Sequence, residues 1–256
     1  MTIFRVLWLS IKDVFDELFT LMAVNLLWVV LSAPLIVVAV LLFSTGAVVL
    51  AIIAALLAVL PLAPSNAGLY TVAQRVSEGR VIEWRLFFEG FRQYLRLSWQ
   101  VYGLWTIGLI LIVGNLGFYS GIGAGLGAVV QILLLYLLLV WFGLLIYIGP
   151  LMVLQTDKRL RVIARNAFLM VFGRPIFTLV TLVLMALLGV VLSTFLPILP
   201  LLLTFAFLAI WSFRATTVLI ADAEARRAAQ DERATESASN PASTEKGRGG
   251  QVRPRD

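Results

Sequence analysis

The chain contains no cysteine and no histidine among its 256 residues. Without thiols it forms no disulfide bond and offers no cysteine nucleophile, and without imidazole it lacks the commonest metal ligand and proton shuttle. Zinc sites of the Cys/His type and the Ser-His-Asp and Cys-His catalytic arrangements are therefore excluded. We expect no cofactor, no metal site and no enzymatic activity.

Charge is also scarce. Charged residues make up 13% of the chain and apolar residues 61%, whereas a soluble domain has about 25% and about 45–50%. This composition excludes an ordinary soluble globule and predicts an all-α, polytopic membrane protein whose main partner is the lipid bilayer. The net charge of +6 does not indicate a nucleic-acid partner, because Lys and Arg mainly set the topology of a membrane protein.

Three long stretches of the chain carry no charged residue. They cover residues 18–74, 97–156 and 175–213. A membrane-spanning helix needs about 20 residues, so each stretch fits two spans joined by a turn. Turn-forming residues stand near the middle of each stretch, at 44–46, 120–127 and 197–200. The sequence therefore predicts three helical hairpins, with spans at about 18–43, 47–74, 97–119, 128–153, 175–196 and 200–221.

The distribution of charge predicts the orientation of these hairpins. None of the three turns is charged, so every Lys and Arg lies on the other side of the membrane together with both termini, and the positive-inside rule makes that side the cytoplasm. We divide the chain into a cytoplasmic amphipathic segment (1–17), a membrane domain (18–221) and a cytoplasmic tail (222–256). The last helix is expected to end near Ala234, and the rest of the tail to be largely disordered.

A cytoplasmic amphipathic stretch precedes each hairpin. The three stretches cover residues 1–17, 84–99 and 157–173. In the second, Arg85, Arg92 and Arg96 recur at helical spacing opposite a row of aromatic residues, which is typical of a helix lying among lipid headgroups. We interpret the arginines of the second and third stretches as a candidate surface for lipid or a protein partner. This surface comprises Arg85, Arg92, Arg96, Arg161 and Arg165.

The membrane interior offers few polar groups. No charged residue lies in the middle of a span, which disfavours a proton or ion path, and Arg214 is expected to reach the cytoplasmic interface by snorkelling. Most Tyr and Trp residues, including Tyr102 and Trp141, fall towards span ends and are typical of an interfacial aromatic belt.

Amides and prolines define a candidate intramembrane polar site. Asn25 and Asn66 lie at similar depth in the first two spans, within possible hydrogen-bonding reach. The prolines at 61 and 64 predict a break in the second helix, and transporters place substrates at such breaks. The alternative is a kink whose amides join two helices. The candidate site comprises Asn25, Pro34, Pro61, Ser65 and Asn66.

Several short motifs follow one another along the chain between residues 20 and 220. They are Asn25-Leu26-Leu27-Trp28 with Ala33-Pro34, Ala67-Gly68-Leu69-Tyr70, Phe87-Phe88-Glu89-Gly90-Phe91-Arg92 and Asn166-Ala167. In these motifs the chain resembles the YesL-like family of bacterial integral membrane proteins of unknown function, although residues 35–60 look inserted relative to the family pattern. The resemblance implies a bacterial inner-membrane location. Because members are often found beside carbohydrate uptake and degradation systems, it also implies an accessory role in sugar import.

Three functional hypotheses follow. The first is an accessory or scaffold component linked to carbohydrate uptake, with a membrane transport or sensor complex as its protein partner. The second is a small transporter or channel with a site at the broken second helix. The third is a membrane enzyme acting on lipid-linked substrates, which would need acidic residues near the membrane interface. The only acidic residues near the mid-chain interface stand beside arginines, so ion pairing is the simpler explanation of their presence.

Overall fold

The computed structural model describes residues 2–122, 125–196 and 198–239. These residues form helices and connecting turns and no strand. Six of the helices are long and apolar enough to cross a membrane. The predicted all-α, polytopic fold is therefore confirmed. The helices are α1 (Thr2–Asp16), α2 (Leu18–Ser44), α3 (Val48–Ser77), α4 (Arg85–Gln93), α5 (Leu95–Ser120), α6 (Leu126–Leu154), α7 (Leu160–Gly173), α8 (Pro175–Phe195) and α9 (Phe205–Ser239), with a π-helical turn at Pro200–Thr204 before α9.

The turns between the spans fall where the sequence places them. The first turn contains Gly46, whose φ of 80° lies in the left-handed region that glycine adopts at little cost. Gly123, Ala124 and Pro197, in the second and third predicted turns, lie outside the described residues. The last helix continues to Ser239 rather than ending near Ala234, and residues 240–256 of the predicted tail lie outside the described residues.

Helix α4 packs closely on α3 through two glycines. A Cβ added to Gly68 would stand 2.6 Å from the backbone oxygen of Phe87, and one added to Gly90 would stand 2.2 Å from Thr71 Oγ1. Phe87 is fully buried. Small residues at such contacts let helix backbones approach each other within a membrane protein. The predicted stretch 84–99 is accordingly two helices, since α4 ends before Tyr94 and Arg96 belongs to α5.

Helices α1 and α7 each bury one narrow face. The buried face of α1 contains Val6, Ser10 and Val14, whereas Phe4 and Trp8 are 73% and 69% exposed. Helix α7 buries Ile163, Ala167 and Val171 and leaves its basic and aromatic residues outside. Two-faced helices of this kind, with aromatic residues turned outwards, are typical of the lipid interface.

A reciprocal pair of tryptophans joins α5 to α6. The indole Nε1 of Trp105 donates to the Trp141 carbonyl at 2.9 Å, and Trp141 Nε1 donates to the Trp105 carbonyl at the same distance. Tyr102 is buried, as are Tyr147 and Trp211. The interpretation of these side chains as an interfacial belt is therefore wrong, because their polar atoms serve contacts between helices or face the interior.

Helix α8 is held less firmly than the other spans. Only Thr178 and Thr181 of its residues are buried. The hydroxyls of Tyr147 and Thr178 lie 2.7 Å apart and join the beginning of α8 to α6. The rest of α8 presents a largely exposed apolar surface, as expected of a helix that borders lipid.

The α3–α4 contact predicts the effect of a single methyl group. We expect Gly68→Ala to destabilise the protein by about 1–3 kcal/mol, because the new Cβ meets the α4 backbone, which cannot move without undocking α4. Thermal unfolding in mild detergent measures this effect. Gly103→Ala is the matched control, since nothing lies within 4 Å of its added Cβ. Equal thermal stability of the two variants would contradict the contact.

Candidate functional site

Asn25 is fully buried in α2, and its partner is the start of α9. Its Nδ2 donates to the carbonyls of Pro200 and Leu201 at 3.0 and 2.7 Å, and its Oδ1 accepts from the backbone N–H of Ala206 at 2.9 Å. Leu201 and Ala206 are five positions apart, the spacing at which a π-helix closes its hydrogen bonds. The side-chain amide of Asn25 thus binds three backbone groups, two carbonyls of the π-helical turn and one N–H in the first turn of α9.

Asn66 binds Trp28 and not Asn25. Trp28 Nε1 donates to Asn66 Oδ1 at 2.8 Å. The indole of Trp28 also stacks on Phe205, with ring centroids 4.0 Å apart. The expected bond between the two asparagines is therefore not formed, because each amide finds a partner on another group. The α2–α3 link runs through Trp28 instead.

The predicted break in the second helix is wrong. Helix α3 is continuous through both prolines. Pro64 has no N–H and so frees the carbonyl of Leu60, which accepts a hydrogen bond from Trp99 Nε1 at 2.9 Å. Ser65 Oγ donates to the carbonyl of Pro61 at 2.7 Å. Trp99 thus supplies a donor to the carbonyl that Pro64 frees, and the helix continues.

The candidate polar residues do not form one cluster. Asn25 and Ser65 are fully buried, whereas Pro61 is half-buried and Pro34 is exposed on the outside of α2. Of the five, only Asn66 lines the larger of the two cavities described below. Pro34 is therefore not part of an intramembrane site.

A cavity of about 260 Å³ lies among six helices. Its polar lining comes from Asn66, Tyr70, Tyr102 and Ser212. The remaining lining residues are Trp28, Leu69, Phe142, Leu145, Ile146, Leu182, Met185, Phe205, Leu208 and Ala209. No charged side chain lines the cavity. A second cavity, of about 60 Å³ between α5, α6 and α7, is almost wholly apolar.

Sequence reasoning missed Ser212, which links α9 to α6 at the wall of the cavity. Its hydroxyl donates to the carbonyl of Ile146, which Pro150 frees four residues later. Tyr70 Oη lies 3.5 Å from Ser212 Oγ. The i−4 rule for proline predicts a free carbonyl at Ile146, but the sequence does not show which residue of another helix would bind it.

The five arginines of the candidate surface are all exposed. Arg85 and Arg92 extend from α4, Arg96 from the first turn of α5, and Arg161 and Arg165 from α7. The guanidinium of Arg85 lies over the Trp84 ring, 5.8 Å from its centroid.

Lys158 joins the segment before α7 to the α4–α5 junction. Its Nζ donates to the carbonyls of Met152 and Val153 at 3.0 and 2.8 Å, where α6 ends with unpaired carbonyls and the negative end of its dipole. The same Nζ lies 5.0 Å from the centroid of the Tyr94 ring. Burial lowers the pKa of Lys158 below its ordinary value and raises the pKa of Tyr94.

Arg214 does not depend on snorkelling, because an acidic residue of α1 reaches it. Its Nε and Nη2 donate to the two carboxylate oxygens of Asp13, the second at 2.8 Å. The side chains of Arg214 and Asp13 are only 23% and 13% exposed. A bidentate pair of this kind fixes the orientation of both side chains and ties α1 to α9.

The described residues contain no group of three acidic side chains that could hold a metal ion. Comparison of the chain with protein families, curated proteins and solved structures gave no match. The resemblance to the YesL-like family therefore stays a prediction.

The Asn25 bridge predicts a large effect for a nearly isosteric change. We expect Asn25→Leu to destabilise the protein by about 1–3 kcal/mol, because it removes the side-chain partner of the Pro200 and Leu201 carbonyls and of the Ala206 N–H. Asn115→Leu is the control, since Asn115 is exposed and donates only to its own helix. Thermal unfolding in detergent distinguishes them, and an Asn25→Leu variant as stable as the control would refute the bridge.

The Arg214–Asp13 pair predicts that the stability of the protein depends on the charge of residue 13. We expect Asp13→Asn to lower stability by about 1–3 kcal/mol, since a half-buried guanidinium loses its carboxylate. Asp16→Asn removes an exposed carboxylate from the same helix and should change stability by less than about 0.5 kcal/mol. A double-mutant cycle with Arg214→Gln measures the coupling, and additive effects would show that the pair contributes no stability.

Proposed function

We propose that the protein is an accessory or scaffold component of a membrane transport complex, and that the complex serves carbohydrate uptake. The observation that carries the proposal is the exposed basic surface of Arg85, Arg92, Arg96, Arg161 and Arg165. The link to carbohydrate uptake rests on the resemblance to the YesL-like family.

The helices that bear this surface are well anchored. Buried Phe87 and Gly90 fix α4 on α3, and a buried apolar face fixes α7. The contact of Lys158 with Tyr94 connects the two regions. Because the backbone of these helices is already ordered, binding adds only the ordering of the arginine side chains, and the exposed positive charge favours an acidic protein face by charge complementarity.

A small transporter or channel is the second candidate. The broken helix on which the sequence based this candidate is absent, since α3 is continuous. What favours it is the cavity of about 260 Å³ beside Asn66. A binding cavity among spanning helices is a feature that transporters share with many membrane proteins that bind lipids.

We further propose that the end of the bundle carrying α1, α4 and α7 faces the cytoplasm of a bacterial cell. The support is the concentration of Lys and Arg at this end and the absence of charge from the predicted turns. Both termini would then be cytoplasmic.

Single cysteines test this orientation, because the chain has none of its own. We expect a membrane-impermeant maleimide to label Thr45→Cys in intact cells, since exposed Thr45 lies in the first turn. Glu83→Cys, exposed before α4, should react only after the cells are permeabilised. Labelling in the reverse pattern would show that the charged end faces outwards.

Co-purification from native membranes tests the accessory role. The tagged full chain is extracted with mild detergent, and the proteins bound to it are identified and quantified by mass spectrometry. We expect permease, ATPase or sensor subunits in near-stoichiometric amounts. The triple variant Arg85→Gln, Arg92→Gln, Arg96→Gln should reduce their recovery at least tenfold, because it removes three charges from the basic surface.

A variant with the same loss of charge elsewhere provides the control. Arg226→Gln, Arg227→Gln and Arg233→Gln change three exposed residues of α9 and should leave recovery unchanged. A monodisperse protein that brings down no partner would favour the transporter candidate. Equal recovery with both triple variants would show that the basic surface is not where the partner binds.

A further inference from the structure

The polar groups of the large cavity come from α3, α5 and α9, whereas α6 and α8 contribute only apolar side chains. Asn66, Tyr70, Tyr102 and Ser212 supply the polar groups, whereas Leu182 and Met185 of α8 and Phe142 of α6 supply apolar surface. The apolar wall belongs to residues that retain exposed surface, and α8 is the least buried span. This side of the cavity therefore borders the lipid, from which a molecule can enter.

Some of the polar groups that line the cavity have no hydrogen-bond partner among the described residues. The Ser212 hydroxyl donates its one hydrogen to the Ile146 carbonyl. Tyr70 Oη is therefore the donor in the 3.5 Å contact between Tyr70 and Ser212 Oγ. Asn66 Oδ1 accepts from Trp28, but its Nδ2 has no partner among the described residues. Tyr102 is only 4% exposed, and its hydroxyl likewise has no partner in the described part of the chain.

Asn66 Nδ2 can only donate, and the Tyr102 hydroxyl can donate as well as accept, so the two groups together can bind one acceptor oxygen. A carbonyl oxygen accepts two hydrogen bonds and carries no charge. An ion would be costly here, since no residue of opposite charge lines the cavity. The ligand therefore combines a neutral acceptor oxygen with an apolar body.

The depth of the two donors requires a ligand that is soluble in lipid. Tyr102 lies seven residues after the start of α5 at Leu95, about 10 Å along the helix. Leu182 lies the same distance from the start of α8. Asn66 lies eleven residues before the end of α3 at Ser77, about 16 Å along that helix. The acceptor oxygen of the ligand must therefore enter the apolar region together with its chain. The cavity of about 260 Å³ is below the usual size of a whole-ligand pocket, about 300–1,000 Å³, and holds the polar end and the first carbons.

We propose that this cavity is a binding site for an uncharged, lipid-soluble molecule, held through a carbonyl oxygen by Tyr102 Oη and Asn66 Nδ2. The apolar part of the ligand lies against Phe142, Leu182 and Met185 and continues into the bilayer. This proposal does not depend on the accessory role, since the site lies inside the bundle and away from the basic surface.

Two probes distinguish the natural sources of such a carbonyl. 1,2-Dioctanoylglycerol represents an ester lipid, and decyl-benzoquinone represents a quinone. 1,2-Dioctylglycerol, an ether with the same chains and no carbonyl, is the matched control. Each is titrated into the purified full chain in mild detergent, and binding is measured from the rise in unfolding temperature. We expect one carbonyl probe to bind at least tenfold more tightly than the ether.

Two substitutions place the site. Tyr102→Phe removes only the hydroxyl and should weaken binding of the carbonyl probe about tenfold, while Tyr136→Phe, on an exposed tyrosine of α6, should not change it. Ala209→Phe fills the cavity and should abolish binding, whereas Ala186→Phe on the exposed side of α8 should not.

The outcomes are decisive in either direction. Tighter binding of a carbonyl probe than of the ether, lost with Tyr102→Phe, supports the site even if Ala209→Phe fails to fold. Equal binding of probe and ether, unchanged affinity in Tyr102→Phe, or no stabilisation by either carbonyl probe overturns it. Loss of co-purifying subunits in the arginine variant has no bearing on these titrations, so the two proposals fail separately.

Discussion

The structure depends on one constraint: a backbone carbonyl freed inside the bilayer has no water to bind, so protein must supply the donor. Pro64 frees the Leu60 carbonyl, and Trp99 of α5 binds it. Pro150 frees the Ile146 carbonyl, and Ser212 of α9 binds it. Pro64 and Pro150 thereby become points of attachment between helices, and at these two positions a residue that usually weakens a helix favours a particular neighbour.

The Asn25 amide applies the same principle to the irregular start of α9. Its three hydrogen bonds reach two carbonyls of the π-helical turn and one N–H in the first turn of α9. With Trp28 bound to Asn66 and stacked on Phe205, α2 holds α3 and α9 together. Asn25, Trp28 and Asn66 thus join helices, whereas the buried hydroxyls of Ser32, Thr181 and Thr204 have no partner among the described residues.

The sequence predicted the six spans well, because long charge-free runs and turn residues are local features and the length of a span is set by the bilayer. The partners of the polar residues were not predictable in this way. Asn25 and Asn66 match in depth, but depth does not tell which side of a helix faces which neighbour. The prediction of a break at Pro61 and Pro64 was wrong for a related reason. The donor that binds the freed Leu60 carbonyl is Trp99, which lies far along the chain.

The reciprocal bonds between Trp105 and Trp141 have a consequence for how the bundle is built. Both bonds connect the same two residues and both end on backbone carbonyls, so sliding α5 past α6 by one residue breaks the two together. The pair therefore favours one alignment of α5 against α6 over an alignment shifted by a residue in either direction.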